Sequence, residues 1–182
     1  MIRYFSILLA AMMLVMSGHA FSDEADQTEE PPKLPYAPTA DEVLKQIALR
    51  GARPVVWELF DRDAEWDRLL REISSGDPRW LKVAARLRKA SDAGASEELG
   101  DAINDAVEKS PELVLEMGYC GETLYDSTAI TFDELMAGVN RKIEALSKVK
   151  RCDLIKKRDR CIKSLREWIL EARKDFRVKD KK

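Results

Sequence analysis

Histidine is almost missing from this sequence: His19 is the only one in 182 residues. Asparagine-linked glycosylation sites are missing altogether, because Asn104 is followed by Asp-Ala and Asn140 by Arg-Lys. Apolar runs are short: the longest, Phe5 to Met16, covers 12 residues interrupted by Ser6, whereas a helix crossing a bilayer needs about 20. Cysteines number three. Each shortage removes a class of reading. With one histidine, and that one near the N-terminus, no Ser-His-Asp or Cys-His arrangement and no His-ligated zinc or haem is expected. No cofactor and no metal site is expected, and a catalytic role is the less favoured reading, left open only for chemistry that needs no histidine.

The first 20 residues read as a targeting signal. Arg3 supplies a positive start, the apolar run follows, and Gly18-His19-Ala20 offers small residues at the two positions a signal peptidase reads. The expected mature chain begins at Phe21, lacks histidine, and is periplasmic or secreted. No cysteine near the cleavage site supports a lipid anchor. Residues 21–38 hold five acids and then Pro31, Pro32, Pro35 and Pro38, which predicts a disordered acidic and proline-rich leader.

From Thr39 the apolar period is helical nearly throughout. Thr39-Ala40-Asp41-Glu42 and Thr131-Phe132-Asp133-Glu134 are capping boxes. Asp77-Pro78 and Ser110-Pro111 place a cap before a proline at the first helical position. Trp66, Leu69, Leu70 and Ile73 follow i, i+3, i+4, i+7, and Trp80, Val83, Ala84 and Leu87 form a second stripe. Asp63 and Asp153 are expected caps, with a turn near Arg151–Asp153. The prediction is a single all-α domain over 39–178, of about seven helices in antiparallel pairs, helical-repeat-like or a bundle, with a frayed basic tail at 179–182. One long irregular segment, Gly118 to Ile130, interrupts the pattern.

Cysteine spacing narrows the crosslink. Cys152 and Cys161 lie nine residues apart, about 13 Å along a helix axis, too far for a bond. Cys120 is therefore one partner. Cys161 is the better second, because it shares a face with Leu154, Leu165 and Trp168.

Charge is distributed unevenly. Residues 21–140 carry 13 Lys/Arg against 26 Asp/Glu, and residues 141–182 carry 17 against 7. A basic last helix either packs beside acidic helices or offers a cationic surface to an anionic partner. Nucleic acid is not expected, since the export signal argues against it and aromatic interleaving is absent. Candidate binding residues are Lys156, Lys157, Arg160 and Lys163 on that helix, Tyr119 and Tyr125 in the irregular segment, and Trp57, which falls one residue off its apolar stripe. Glu97, Asp101 and Asp105 share one helix face and would suit cation binding or acid–base work only within a cleft. The run Asp61, Asp63, Glu65, Asp67 and Glu72 has partial calcium-loop spacing, but Trp66 stands where such a loop needs glycine.

These features favour an exported, non-catalytic helical protein that acts by protein–protein binding, in the manner of an inhibitor, an immunity protein or an envelope adaptor. The alternative is an envelope-binding module whose basic C-terminal helix meets anionic glycan or lipid. A carboxylate-dependent hydrolase is the weaker third reading. Intact-mass measurement of the exported protein is expected to show a chain starting at Phe21; a mass that retains residues 1–20 removes both the export and the no-histidine arguments.

Overall fold

The chain is described by a computed structural model over residues 33–120 and 131–179, apart from the side chains of residues 93 and 174–179. The expected signal segment, residues 21–32 of the expected leader, residues 121–130 with Tyr125, and residues 180–182 lie outside the described residues. Eight helices and no strand are present among the described residues: α1 (Ala40–Arg50), α2 (Ala52–Phe60), α3 (Asp63–Ser74), α4 (Pro78–Leu87), α5 (Ala93–Ala106), α6 (Pro111–Glu116), α7 (Phe132–Ser147) and α8 (Ile155–Lys179). The fold is all-α, as the periodicity predicts.

Local chemistry accounts for most boundaries. Both capping boxes form: Thr39 and Glu42 satisfy each other's backbone N–H groups, as do Thr131 and Glu134. The Asp77 carboxylate accepts from the N–H groups of Arg79 and Trp80, which holds that carboxyl below its usual range. Other caps differ from expectation. Asp63 lies inside the first turn of α3 rather than capping it, and α5 begins at Ala93 with no side-chain cap from Asp92. Ser110 does not cap α6; its hydroxyl donates to the Gly76 carbonyl 34 residues away, at 2.7 Å. That contact explains Gly76. Its φ is +79°, and a Cβ there would lie 2.9 Å from Ser110 Oγ, so a side chain would be strained and would also collide.

The core runs between the helices as one apolar cluster. α3 packs chiefly on α5, α1 on α2 and α4, and α7 on α8. Leu59, Leu69, Ile73, Leu87, Leu99 and Ile103 are among the side chains closed off from solvent. Trp66 is buried, and its indole N–H donates to Glu98 on α5 at 2.6 Å, so the polar atom of a core tryptophan has a partner.

One segment corrects the expected domain boundary. Residues 33–38 were assigned to the leader, yet they form a strap against α2 and α3. Leu34 enters the core at 4% exposure. Its N–H donates to Glu58 and its carbonyl accepts from Arg62; the Ala37 N–H donates to Glu65, and Arg68 donates to the Pro38 carbonyl. Prolines remove backbone donors without removing acceptors, so a proline-rich segment is readily satisfied by side chains instead of a helix or sheet. Glu58 also pairs with Arg50 and Arg62, and Arg62 pairs with Glu65. Ala37 sits at φ +51°, a left-handed conformation held by its bond to Glu65.

Two outcomes follow from this packing. Trp80, 7% exposed with the Arg68 guanidinium over its ring, is expected to cost about 3–5 kcal/mol on Trp80→Ala, and Trp57→Ala much less, in urea melts. Equal losses would place Trp57 in the core as well. Glu65 gives a pH dependence. Burial disfavours its charge, but the bonds from Arg62 and the Ala37 N–H, with the charges of Arg62 and Arg68, outweigh burial and lower its pKa. A lowered folded pKa means stability that is complete above the ordinary glutamate range and lost as pH falls through the folded value. Urea midpoints should therefore fall between pH 6 and pH 3 by less in Glu65→Gln than in the parent (pH values roughly bracketing that range). Identical falls would show that Glu65 is not linked to folding.

Candidate functional site

The end of α6 organises the surface that carries the candidate residues. Gly118 has φ +74°, which lets its own N–H donate to the Leu115 carbonyl and the Tyr119 N–H to the Val114 carbonyl. This is a Schellman-type closure, and it turns the chain back onto the body. Tyr119 is thereby buried at 7% exposure, with the Arg88 guanidinium 4.5 Å from its ring centroid. The expectation of an exposed Tyr119 in an irregular loop is corrected: the chain is ordered through Cys120, because the glycine turn docks the tyrosine before the chain leaves. Tyr125 lies outside the described residues.

The same turn delivers Cys120 to Cys161, and the two form a disulfide with Cα atoms 5.3 Å apart. Cys161 is buried on the Leu154–Leu165 stripe of α8, as its spacing predicts, and Cys152 is free and exposed. Closing a separation of 41 residues stabilises the fold by about 4 kcal/mol on the chain-entropy account. Asn104, Lys142, Leu146 and Cys161 help enclose a space of about 10 Å³ beside this crosslink, room for one water and for no larger ligand.

Three ion pairs then join the acidic body to the basic α7–α8 hairpin: Lys142 with Asp105 at 3.7 Å, Arg141 with Glu108 at 3.1 Å, and Arg151 with Glu116. The uneven charge of the sequence is thus partly internal. Hydrogen bonds that Arg151 donates to the Asp153 and Glu116 carboxylates raise its pKa, and the Arg151 guanidinium holds Asp153 below its usual range. Asp153 is therefore engaged by Arg151 rather than capping α8. Lys157 is also engaged: its Nζ donates to the Leu115 carbonyl at 3.1 Å, at the negative end of α6.

Beyond these ties the basic face is open. Lys156, Arg160 and Lys163 follow i, i+4, i+7 and are exposed, on the side away from Leu154, Cys161 and Leu165. Lys156 and Arg160 have no ion pair among the described residues; Lys163 lies 3.7 Å from Glu167, a solvated pair. Trp57 is elsewhere. It stands 37% exposed on α2, edge-on to Phe60, and α2 packs on α1, α3 and α4 whereas α8 packs on α7. The structure brings Lys156, Lys157, Arg160 and Lys163 together and leaves Trp57 apart.

A groove of about 430 Å³ opens beside α6, between the end of α4 and α5. Half-buried Ala85 and Met117 give it apolar surface over the buried Ile103 and Tyr119, and Ser96, Arg88 and Lys89 add polar groups to its lining. Neither cation has an ion pair among the described residues, and the one carboxylate there, Glu116, is held by Arg151. Sequence reasoning missed this groove. The signal was the run Arg86-Leu87-Arg88-Lys89 at the end of a predicted helix, but nothing in it shows that Tyr119 lies beneath.

The acids weighed for catalysis share a face of α5 but do not line the groove. Glu97 is exposed, Asp105 pairs with Lys142, and no group of His, Cys, Asp and Glu positioned to hold a metal is found among the described residues. In the partial calcium-loop run, Glu65 is held by Arg62 and the Ala37 N–H. Comparison of the chain with protein-family models, curated proteins and solved structures finds no match.

Proposed function

We propose that this is an exported, non-catalytic binding protein that captures an acidic protein partner on the cationic face of α8 and the adjoining end of α6. The observation that carries this reading is a division among the basic side chains. Arg141, Lys142, Arg151 and Lys157 are engaged by oxygens of the body, whereas Lys156, Arg160, Lys163, Arg88 and Lys89 meet no carboxylate of the body among the described residues, Arg88 touching it only through the Tyr119 ring. Charges that hold the hairpin in place have a structural purpose. Those left outward on an otherwise acidic protein set up a field of opposite sign, which speeds and orients the approach of an acidic surface.

Export is part of the proposal. It rests on the Arg3–Ala20 pattern, and it agrees with the Cys120–Cys161 disulfide, which persists in an oxidising compartment. No helix among the described residues is long and apolar enough to cross a membrane. A binding role also suits the absence of histidine after Ala20 and the position of the α5 acids outside the groove lining.

The test reverses Lys156, Arg160 and Lys163 to Glu together and leaves Lys157, whose bond to Leu115 is structural. The variant is expected to melt within about 1 kcal/mol of the parent, since solvated charges contribute little. It is expected to lose an acidic protein captured by the parent from envelope extract, with parent binding weakening as salt rises. Unchanged capture would make the face a solvated surface only. Loss of binding to anionic vesicles or polysaccharide, with no protein captured by the parent, would favour the envelope-binding alternative.

A further inference from the structure

We propose that the groove beside α6 recognises one apolar side chain of an extended acidic peptide segment, whose flanking carboxylates are taken by Arg88 and Lys89. This rests on the binding reading above and specifies the partner's chemistry.

Four observations converge on that occupant. First, the floor has an apolar part made by half-buried Ala85 on α4 and Met117 after α6, backed by Ile103 of α5 and Tyr119, which are buried beneath it. Methionine adapts to side chains of different shape. At about 430 Å³ the space is large enough for one bulky side chain with part of its backbone. Second, Arg88 is positioned before any ligand arrives. Its guanidinium lies over the Tyr119 ring at 4.5 Å, which restrains the side chain while leaving its donors without an acidic partner among the described residues. A restrained fork presents parallel donors to a carboxylate at a smaller entropy cost than a free one. Third, the local acid is neutralised, because Glu116 is held by Arg151. Fourth, the groove and α8 are fixed to the same end of α6: Glu116, which lines the groove, is held by Arg151, and Lys157 at the start of α8 bonds to the Leu115 carbonyl.

Arg88 and Lys89 also follow the C-terminus of α4, where cations favour the helix dipole. That accounts for their charge. It does not account for a stacked guanidinium above an apolar floor. A polysaccharide would use the charges without the floor, and a vesicle surface would meet α8 without filling a groove, so the apolar floor favours a peptide.

The experiment measures binding of the full oxidised chain to two labelled peptides by fluorescence anisotropy. Both are acidic heptapeptides of Glu and Asp; one carries Leu at its centre and the other Ser. The Leu peptide is expected to bind roughly tenfold or more tightly than the Ser peptide, the range for an apolar side chain in a fitted pocket. Ala85→Trp fills the groove and should bring the Leu peptide to the level of the Ser peptide. Arg88→Ala is the second variant, should Ala85→Trp fail to fold, and should weaken the Leu peptide more than the Ser peptide. Reversal of Lys156, Arg160 and Lys163 should weaken both peptides equally. Equal binding of the two peptides to the parent, or insensitivity to Ala85→Trp and Arg88→Ala, overturns the groove while the α8 reading stands on its own variant. Failure of both peptides, with polysaccharide or phosphatidylglycerol vesicles bound instead, overturns the groove and the protein-partner reading together.

Discussion

The tie between the end of α6 and the α7–α8 hairpin is the constraint on which the candidate surface depends. A helix of only six residues has little internal strength, since most of its backbone groups lie within a turn of an end. Here those ends are satisfied from outside. Pro111 starts the helix without needing a donor partner, Gly118 closes it, and Lys157 takes the Leu115 carbonyl from a different helix. Cys120 follows two residues after Gly118 and bonds to Cys161, so the chain's exit from α6 and the second turn of α8 are one covalent unit. Without that junction α8 would rest mainly on α7, and its cations would bear no defined relation to Arg88 and Lys89.

A second set of charges works in the opposite sense, inward. Glu58 accepts from Leu34 N–H and pairs with both Arg50 and Arg62, while Glu65 accepts from Ala37 N–H and Arg62. Burying such groups costs several kcal/mol per ion before any pairing, so removing one member would leave the others uncompensated. Two donors at this junction, Arg50 Nε and Arg68 Nε, already have no partner among the described residues, and neither has Gln46 Oε1. The strap is therefore held by a network with little tolerance. Its buried apolar side chains are Leu34 and Pro38, and the rest of its attachment is through backbone groups that any extended segment possesses.

Sequence and structure agree where the determining chemistry is local. The capping boxes at Thr39 and Thr131 connect residues three apart, and the Leu154, Cys161, Leu165 stripe is a spacing rule, which is why the disulfide partner was legible. They part where a residue has two possible partners. Ser110 looks like a cap, but the Gly76 carbonyl competes for its hydroxyl. Asp153 looks like a cap, but Arg151 is nearer to it. Proline content suggested that residues 33–38 were disordered, because it records the missing helix bonds and not the side chains that replace them.

What the sequence by itself determined was the all-α class, most of the helix starts, the Cys120–Cys161 pairing and the imbalance between an acidic body and a basic end. Each follows from contacts within about one or two turns, or from counting. Only the tertiary structure decided that Leu34 belongs to the core, that Tyr119 lies under Arg88, and which cations are engaged. Those facts depend on meetings across 24 residues for Leu34 and Glu58 and 42 for Lys157 and Leu115. At such separations the partner is chosen by how helices pack, and a periodic pattern along the chain carries no record of which face meets which.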